Sequence, residues 1–203
     1  TRRNQMLSTA ERNSNIWASL LWISGGKLNT DKCFFYWLQP KYTYGTQRVE
    51  YESMKKAPVD IHITNPATNT PIKIKRVEPN KARCTLGVML APDGNCRIQI
   101  QTCQSKASTF IGKVKHSKLS KHAKWTAVTT ILEPAINYPL MATLCTQKEL
   151  KCIDKTLDNF KCHALGLNEH FPSAVLHGPM ELGGIGLPTT ISRTTTTRLN
   201  YFF

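Results

Sequence analysis

Apolar residues recur at steps of three and four through much of the second half of the chain. Ile100, Cys103, Ala107, Phe110 and Val114 form one such stripe, the spacing of a helix packed along a single face. Leu150, Ile153, Leu157, Phe160 and Ala164 form another. Ahead of the second stripe, Thr146-Gln147-Lys148-Glu149 has the form of a capping box, and Gly166 after it supplies a stop. Between the two, Trp125, Val128 and Leu132 mark a helix from about Ser120 to Leu132, and Pro134 and Pro139 interrupt the segment beyond it. Three helices with matching stripes predict a small bundle.

The first half reads differently. Ser8-Thr9-Ala10-Glu11 again looks like a capping box, followed by Ile16, Leu20 and Ile23 on one stripe and the stop Gly25-Gly26. This predicts a helix over about residues 8–24. Short aromatic or alternating runs then predict strands: Lys32–Leu38, Val59–Ile63, Ile72–Lys75 and Cys84–Leu90. Asn65-Pro66, Asn69-Thr70-Pro71 and Pro92-Asp93-Gly94-Asn95 read as turns, and the polar stretch Gln39–Pro58, with Tyr42, Tyr44 and Tyr51, as an irregular loop. The expected class is α+β, a small antiparallel sheet lobe followed by a helical bundle. The shift in composition near Pro92 sets the boundary, with lobes at residues 1–92 and 93–203.

Composition sharpens this picture. The 203 residues are 40% hydrophobic, enough for a core, and carry a net charge of +14. No segment approaches the run of about 20 apolar residues that spans a membrane, and no secretory signal opens the sequence. The seven cysteines are odd in number and form no C-x-x-C pair. That pattern suits reduced thiols in the nucleus or cytoplasm. Cys162, His163, His170 and His177 have the side chains of zinc ligands, but Pro172 and Gly178 break the helix that would align them. Met180–Leu187 is glycine-rich without dinucleotide spacing or a P-loop lysine, and reads as a tight packing loop. The acidic residues are scattered, with no Asp-Asp neighbours. Asp154 and Asp158, beside Lys151 and Lys155, read as an ion-paired surface. The chain opens without Met and stops within an apolar cluster, which reads as a piece cut from a longer protein.

The charge is concentrated. From Gly94 to Leu132 there is no Asp or Glu, whereas Arg97, Lys106, Lys113, Lys115, Lys118, Lys121 and Lys124 are basic. Thr102, Lys106, Thr109 and Lys113 share one row beside the packed stripe. An uncompensated positive rod of this kind suits a polyanion, and phosphate backbone is the usual one. A solvated lysine face is the plain alternative.

Several segments, in this order, resemble retrotransposon-type reverse transcriptases over about residues 10–190. Trp22-Ile23-Ser24-Gly25-Gly26-Lys27-Leu28-Asn29, then Lys32-Cys33 and aromatic residues, is similar to the segment after that family's catalytic aspartates. Cys84-Thr85-Leu86-Gly87-Val88 resembles its primer-grip strand, with Thr85 where the family usually has an aromatic residue. Ile136-Asn137-Tyr138-Pro139-Leu140, Phe171-Pro172-Ser173-Ala174-Val175 and Gly178-Pro179 through Leu187 resemble its connected helical region.

The resemblance implies a palm end and primer grip followed by a thumb. It implies RNA-directed DNA polymerisation, with paired carboxylates holding two metal ions, magnesium in the intact polymerase. The Asp-Asp pair is not in this sequence, so no catalytic residue, metal or cofactor is expected on this chain. Lys27 is a candidate assistant near departing pyrophosphate by location alone. What remains is holding template–primer duplex of RNA or DNA through Leu86, Gly87, Arg97, Thr102, Lys106, Thr109, Lys113, Lys115, Lys118, Lys121 and Lys124. The upstream palm and fingers would be a protein partner, and no membrane is involved. A stand-alone basic nucleic-acid-binding module and an inactive degenerate element copy are the competing readings.

Overall fold

A computed structural model describes residues 2–42, 49–53, 55–56 and 58–202. The chain divides into two compact units, Thr1–Lys81 and Ala82–Phe203. The boundary therefore falls ahead of the hairpin that the sequence assigned to the first lobe. That hairpin belongs with the helices because a buried glutamine from the first of them bonds its backbone.

The first unit opens with α1 (Arg2–Ile23). After a 3-10 turn at Thr30–Lys32 come β1 (Phe34–Tyr36), β2 (Pro40–Tyr42), β3 (Val49–Tyr51), β4 (His62–Thr64), β5 (Pro71–Lys73) and β6 (Lys75–Val77). The strands form two-stranded ladders: β2 with β3 and β4 with β5 antiparallel, and β1 with β6 parallel. The expected single antiparallel sheet is thus corrected to separate small ladders, one of them parallel. The Gln39–Pro58 stretch also departs from expectation, since it contains β2 and β3. Tyr44 and the rest of residues 43–48 lie outside the described residues.

Helix α1 corrects two further expectations. It begins well before Ser8, whose hydroxyl donates to the Gln5 carbonyl. Glu11 is no capping partner. Its Oε1 accepts from the backbone N–H of His62 at 2.9 Å, and Asn15 Oδ1 accepts from Thr64 N–H at 2.7 Å. Alternate residues of β4 direct their N–H groups to the same side, and an unpaired strand N–H under a helix needs an acceptor. So the helix lays Glu11, Asn15 and Ala18 against β4. Ile16, Leu20 and Ile23, expected inside, are 52%, 54% and 79% exposed. The buried hydrophobic residues here are few among those described: Ala18, Val59, Ile61, Ile63, Ile74 and Val77, of which Ala18, Ile63 and Ile74 pack as one cluster.

The second unit starts with β7 (Arg83–Thr85) and β8 (Val88–Leu90), an antiparallel hairpin where one continuous strand was expected. Leu86 and Gly87 form its two-residue turn, both with positive φ (50° and 82°), as a type I′ turn requires. Helix α2 (Arg97–Lys115) follows, then α3 (Lys121–Ala127), a π-helical turn at Val128–Leu132, and α4 (Glu133–Met141). Neither proline ends this run. Pro134 has no N–H for the Thr130 carbonyl, and the widened turn just before it absorbs the misfit. Pro139 stays within α4 and is fully buried.

Helix α5 (Gln147–Leu165) carries the expected capping box. Thr146 Oγ1 accepts from Glu149 N–H, and Glu149 Oε2 accepts from Thr146 N–H. Gly166 ends it at φ 78°. The short α6 (Ser173–His177) and a final helix, α7 (Thr190–Phe202), complete the unit. The sequence pattern does not predict α7. The core is the expected stripe of α2 (Ile100, Cys103, Ala107, Val114) against that of α5. Val128, Leu132, Ile136 and Leu140 fill between them.

Candidate nucleic-acid interface

On α2 the row Thr102, Lys106, Thr109, Lys113 stands beside the packed stripe, as its spacing requires. Lys106, Thr109 and Lys113 are exposed, and Thr102 is half-buried with its hydroxyl on the Ile98 carbonyl at 2.8 Å. At 3.6 residues per turn, Arg97 and Lys115 lie roughly half a turn away. Lys115 lines a groove of about 400 Å³ against α5, with Phe160 and His163. The Glu149 pKa is lowered first by the Thr146 N–H and hydroxyl, with the charge of Arg97 a smaller contributor. The basic residues of α2 therefore occupy two flanks instead of one.

The lysines after α2 also separate by role. The Lys124 ammonium donates to the Lys115 carbonyl at 3.0 Å, capping the last turn of α2. The Lys121 ammonium sits 3.1 Å from where a Cβ on Gly166 would stand, just beyond the C-terminus of α5. Cations at helix C-termini meet unpaired carbonyls and the negative end of the dipole. Lys124 thus holds a helix end in addition to adding charge, while Lys121 stands near another. Lys118, in the α2–α3 connection, is exposed. Among the described residues, no ion pair involves Lys106, Lys113, Lys115 or Lys118.

The remaining candidates lie elsewhere. Leu86 is 87% exposed at the hairpin tip beside Gly87. Lys27 is exposed at a pocket of about 200 Å³ in the first unit, lined by Ala18, Trp22, Ile63 and Ile72. Met180–Leu187 is tight in its backbone, opening with a 3-10 turn at Met180–Leu182, but Met180 and Leu182 are exposed and do not pack as expected. Gly186 N–H donates to the Gly178 carbonyl at 2.9 Å, and Leu187 N–H to the Leu176 carbonyl at 3.0 Å.

Asp154 and Asp158 are not the ion-paired surface expected of them. Asp154 is buried and its Oδ1 accepts from Thr190 N–H at 2.7 Å, capping α7. Asp158 Oδ2 lies 2.9 Å from His177 Nε2, while His177 Nδ1 lies 2.7 Å from the Leu187 carbonyl. Burial pushes the Asp158 pKa up, against the lowering pull of His177 and Lys161. Next to them Glu133 and Lys161 are buried together, Nζ to Oε1 at 2.6 Å, with Arg193 2.7 Å from the other oxygen. Arg198 adds a clamp on the carbonyls of Leu140, Met141 and Thr143. These partners are far apart in sequence, so spacing alone has no means of pairing them. Because both aspartates turn inward, Lys148, Lys151 and Lys155 form an exposed row on α5, which the sequence pattern presents as neutralised.

All seven cysteines are free thiols, and burial raises the pKa of Cys103 and Cys162. Among the described residues, no group of three or more His, Cys, Asp or Glu is placed to hold a metal ion. No helix among them is long and apolar enough to cross a membrane. No family model, curated protein or solved structure matches the chain.

Proposed function

We propose that the second unit holds double-stranded nucleic acid through phosphate contacts, as part of an RNA-directed DNA polymerase in which this chain grips template–primer duplex. The observation that carries the binding is the Lys106–Lys113 row of α2, exposed and without a carboxylate partner among the described residues. Two ammonium groups about two turns apart on a rigid helix, with the Thr109 hydroxyl between them, match the spread of a sugar–phosphate strand. Such contacts read no bases. The polymerase assignment rests on the ordered sequence resemblance, and the chemistry itself requires a carboxylate pair that this sequence does not contain.

The test is equilibrium binding to a labelled RNA–DNA hybrid over a range of potassium chloride concentrations. The affinity of the unaltered chain should fall linearly on logarithmic axes. Lys106→Gln with Lys113→Gln should reduce the slope by about 2, at roughly 0.9 for each phosphate neutralised. Affinity indifferent to salt, or a slope unchanged in the double variant, overturns the assignment.

A further inference from the structure

His177 has an acceptor at each ring nitrogen. Nδ1 lies 2.7 Å from the Leu187 carbonyl oxygen, and Nε2 lies 2.9 Å from Asp158 Oδ2. A carbonyl and an ionised carboxylate accept hydrogen bonds and donate none. A neutral imidazole carries a single N–H. Whichever tautomer forms, one of the two contacts then sets lone pair against lone pair. Both contacts are bonds only when the His177–Asp158 pair holds one further proton, as imidazolium with carboxylate or as imidazole with carboxylic acid.

The neighbouring charges leave that proton to the pair. Lys161 Nζ is 3.9 Å from Asp158 Oδ1, but it meets Glu133 of α4 at 2.6 Å, and Arg193 of α7 takes the other Glu133 oxygen at 2.7 Å. Asp154, one turn earlier on α5, is committed to the Thr190 N–H. Burial of Asp158 disfavours a bare carboxylate and the charge of Asp154 adds to this, against the pull of His177 and Lys161. Cys162, one turn later, is a buried free thiol whose pKa burial raises, so it brings no charge. The exposed Lys151, Lys155 and Glu169 line the same groove, about 410 Å³, as His177 and Asp158.

The segment held by the pair has little other side-chain support. Helix α6 is five residues long, too few to stand by itself. Beyond it, Ile185 N–H donates to the Val175 carbonyl at 2.8 Å and Leu187 N–H to the Leu176 carbonyl at 3.0 Å. Met180 and Leu182 of the loop are 73% and 84% exposed. His177 reaches both ways from this segment, to Leu187 within it and to α5 across from it.

We propose that Asp158, His177 and the Leu187 carbonyl form a proton-operated clasp: with the extra proton it fastens α6 and the Met180–Leu187 loop to α5, and without it the loop is released. The sign follows from the count of protons. Unfolding leaves an ordinary imidazole and an ordinary carboxylate, which together give up the extra proton at about pH 6.5. A folded clasp that keeps the proton longer contributes its full stability below that pH. The contribution is lost as pH rises through the value at which the clasp lets go.

The experiment is amide hydrogen exchange of Ile185 and Leu187, followed by NMR from about pH 5 to 8, with a thermal melt at each pH. It uses the unaltered chain, Asp158→Asn and His177→Gln. In D158N the side-chain amide donates to Nε2 or, turned over, accepts from it, so the clasp closes without the extra proton. The ratio of exchange rates, unaltered chain over D158N at the same pH, cancels the ordinary base catalysis of exchange. That ratio should rise with pH, by up to about tenfold per pH unit, the limit for a single proton. The melting temperature of the unaltered chain should fall relative to D158N over the same range. H177Q has no imidazole, so its loop should exchange faster than that of the unaltered chain at the acid end, and its ratio to D158N should stay level with pH. An unaltered-chain ratio that is flat or falls with pH overturns the proposal, as does one that rises equally when H177Q takes the place of the unaltered chain.

Discussion

Glu133 gives the sharpest test of how the second unit is held. Its carboxylate is 3% exposed, and the Lys161 side chain it meets is 4% exposed, with 2.6 Å between the charged atoms. At an effective dielectric constant of about 20, that separation corresponds to an attraction of about 6 kcal/mol before desolvation is subtracted. Removing both ions from water costs several kcal/mol each, so the intact pair contributes little net stability. Glu133→Gln is another matter. It keeps the shape and leaves Lys161 buried with only Asp158, 3.9 Å away. Breaking a buried pair from one side costs about 3–5 kcal/mol, and the second carboxylate places E133Q near the lower end. Against a typical domain stability of about 5–15 kcal/mol, that is a large loss. Adding Lys161→Met removes the stranded charge and should restore most of it, while Arg193, one-third exposed, turns to water. Urea unfolding followed by far-ultraviolet circular dichroism measures both single variants and the double. A cost below about 1 kcal/mol for E133Q, or a double variant as unstable as the sum of the singles, would show that the pair is not a buried, coupled one.

Two more predictions come from local geometry. A Cβ on Gly184 would collide with the Gly178 carbonyl oxygen, whereas one on Gly183, at φ 82°, meets nothing within 4 Å. Gly184→Ala should therefore cost about 3 kcal/mol or more and Gly183→Ala only about 1 kcal/mol; equal shifts in melting temperature would refute the close approach. Glu149 has its pKa lowered, first by the Thr146 N–H and then by the Thr146 hydroxyl. Its contribution is present above the ordinary value of 4.5 and is lost as pH falls through the lower folded-state value. Glu149→Gln should flatten that acid-side loss in a series of melts against pH, and an unchanged acid limb would count against the cap.

The helices of the second unit are legible in the sequence where two independent signals agree. For α5, the stripe from Leu150 to Ala164, the Thr146 box and Gly166 all give the same limits. The α1 stripe misleads because periodicity reports that one face differs from another, not which face is covered. The free N–H groups of His62 and Thr64 require acceptors, and Glu11 and Asn15 lie on the opposite face from Ile16 and Leu20. The 84–90 hairpin reads as one strand because Leu86-Gly87 lacks the Asn that usually marks such a turn; Gly87 alone is the available signal. Helix α7 is hidden by its threonines, poor helix formers. Thr194 and Thr197 turn their hydroxyls to the Thr190 and Arg193 carbonyls, and Arg193, Arg198 and Asp154 fasten the helix. Charge pairs between distant segments do not show in a local pattern.

The same contacts change how a net charge of +14 should be weighed. Lys161 and Arg193 are bound to Glu133, Arg198 to the end of α4, Lys124 to the end of α2, and Lys121 stands at the end of α5. Lys161, Arg193, Arg198 and Lys124 meet internal partners, so they would offer a polyanion less than their number suggests. Lys106 and Lys113 have no such partner among the described residues, and Lys148, Lys151 and Lys155 become a second exposed row only because Asp154 and Asp158 are turned inward. The buried polar network and the outer basic faces are therefore linked. Every carboxylate used to dock α7 or the Met180–Leu187 loop is one withdrawn from neutralising α5. The positive potential of a surface assembled this way depends on the arrangement of its acids as much as on the number of its lysines.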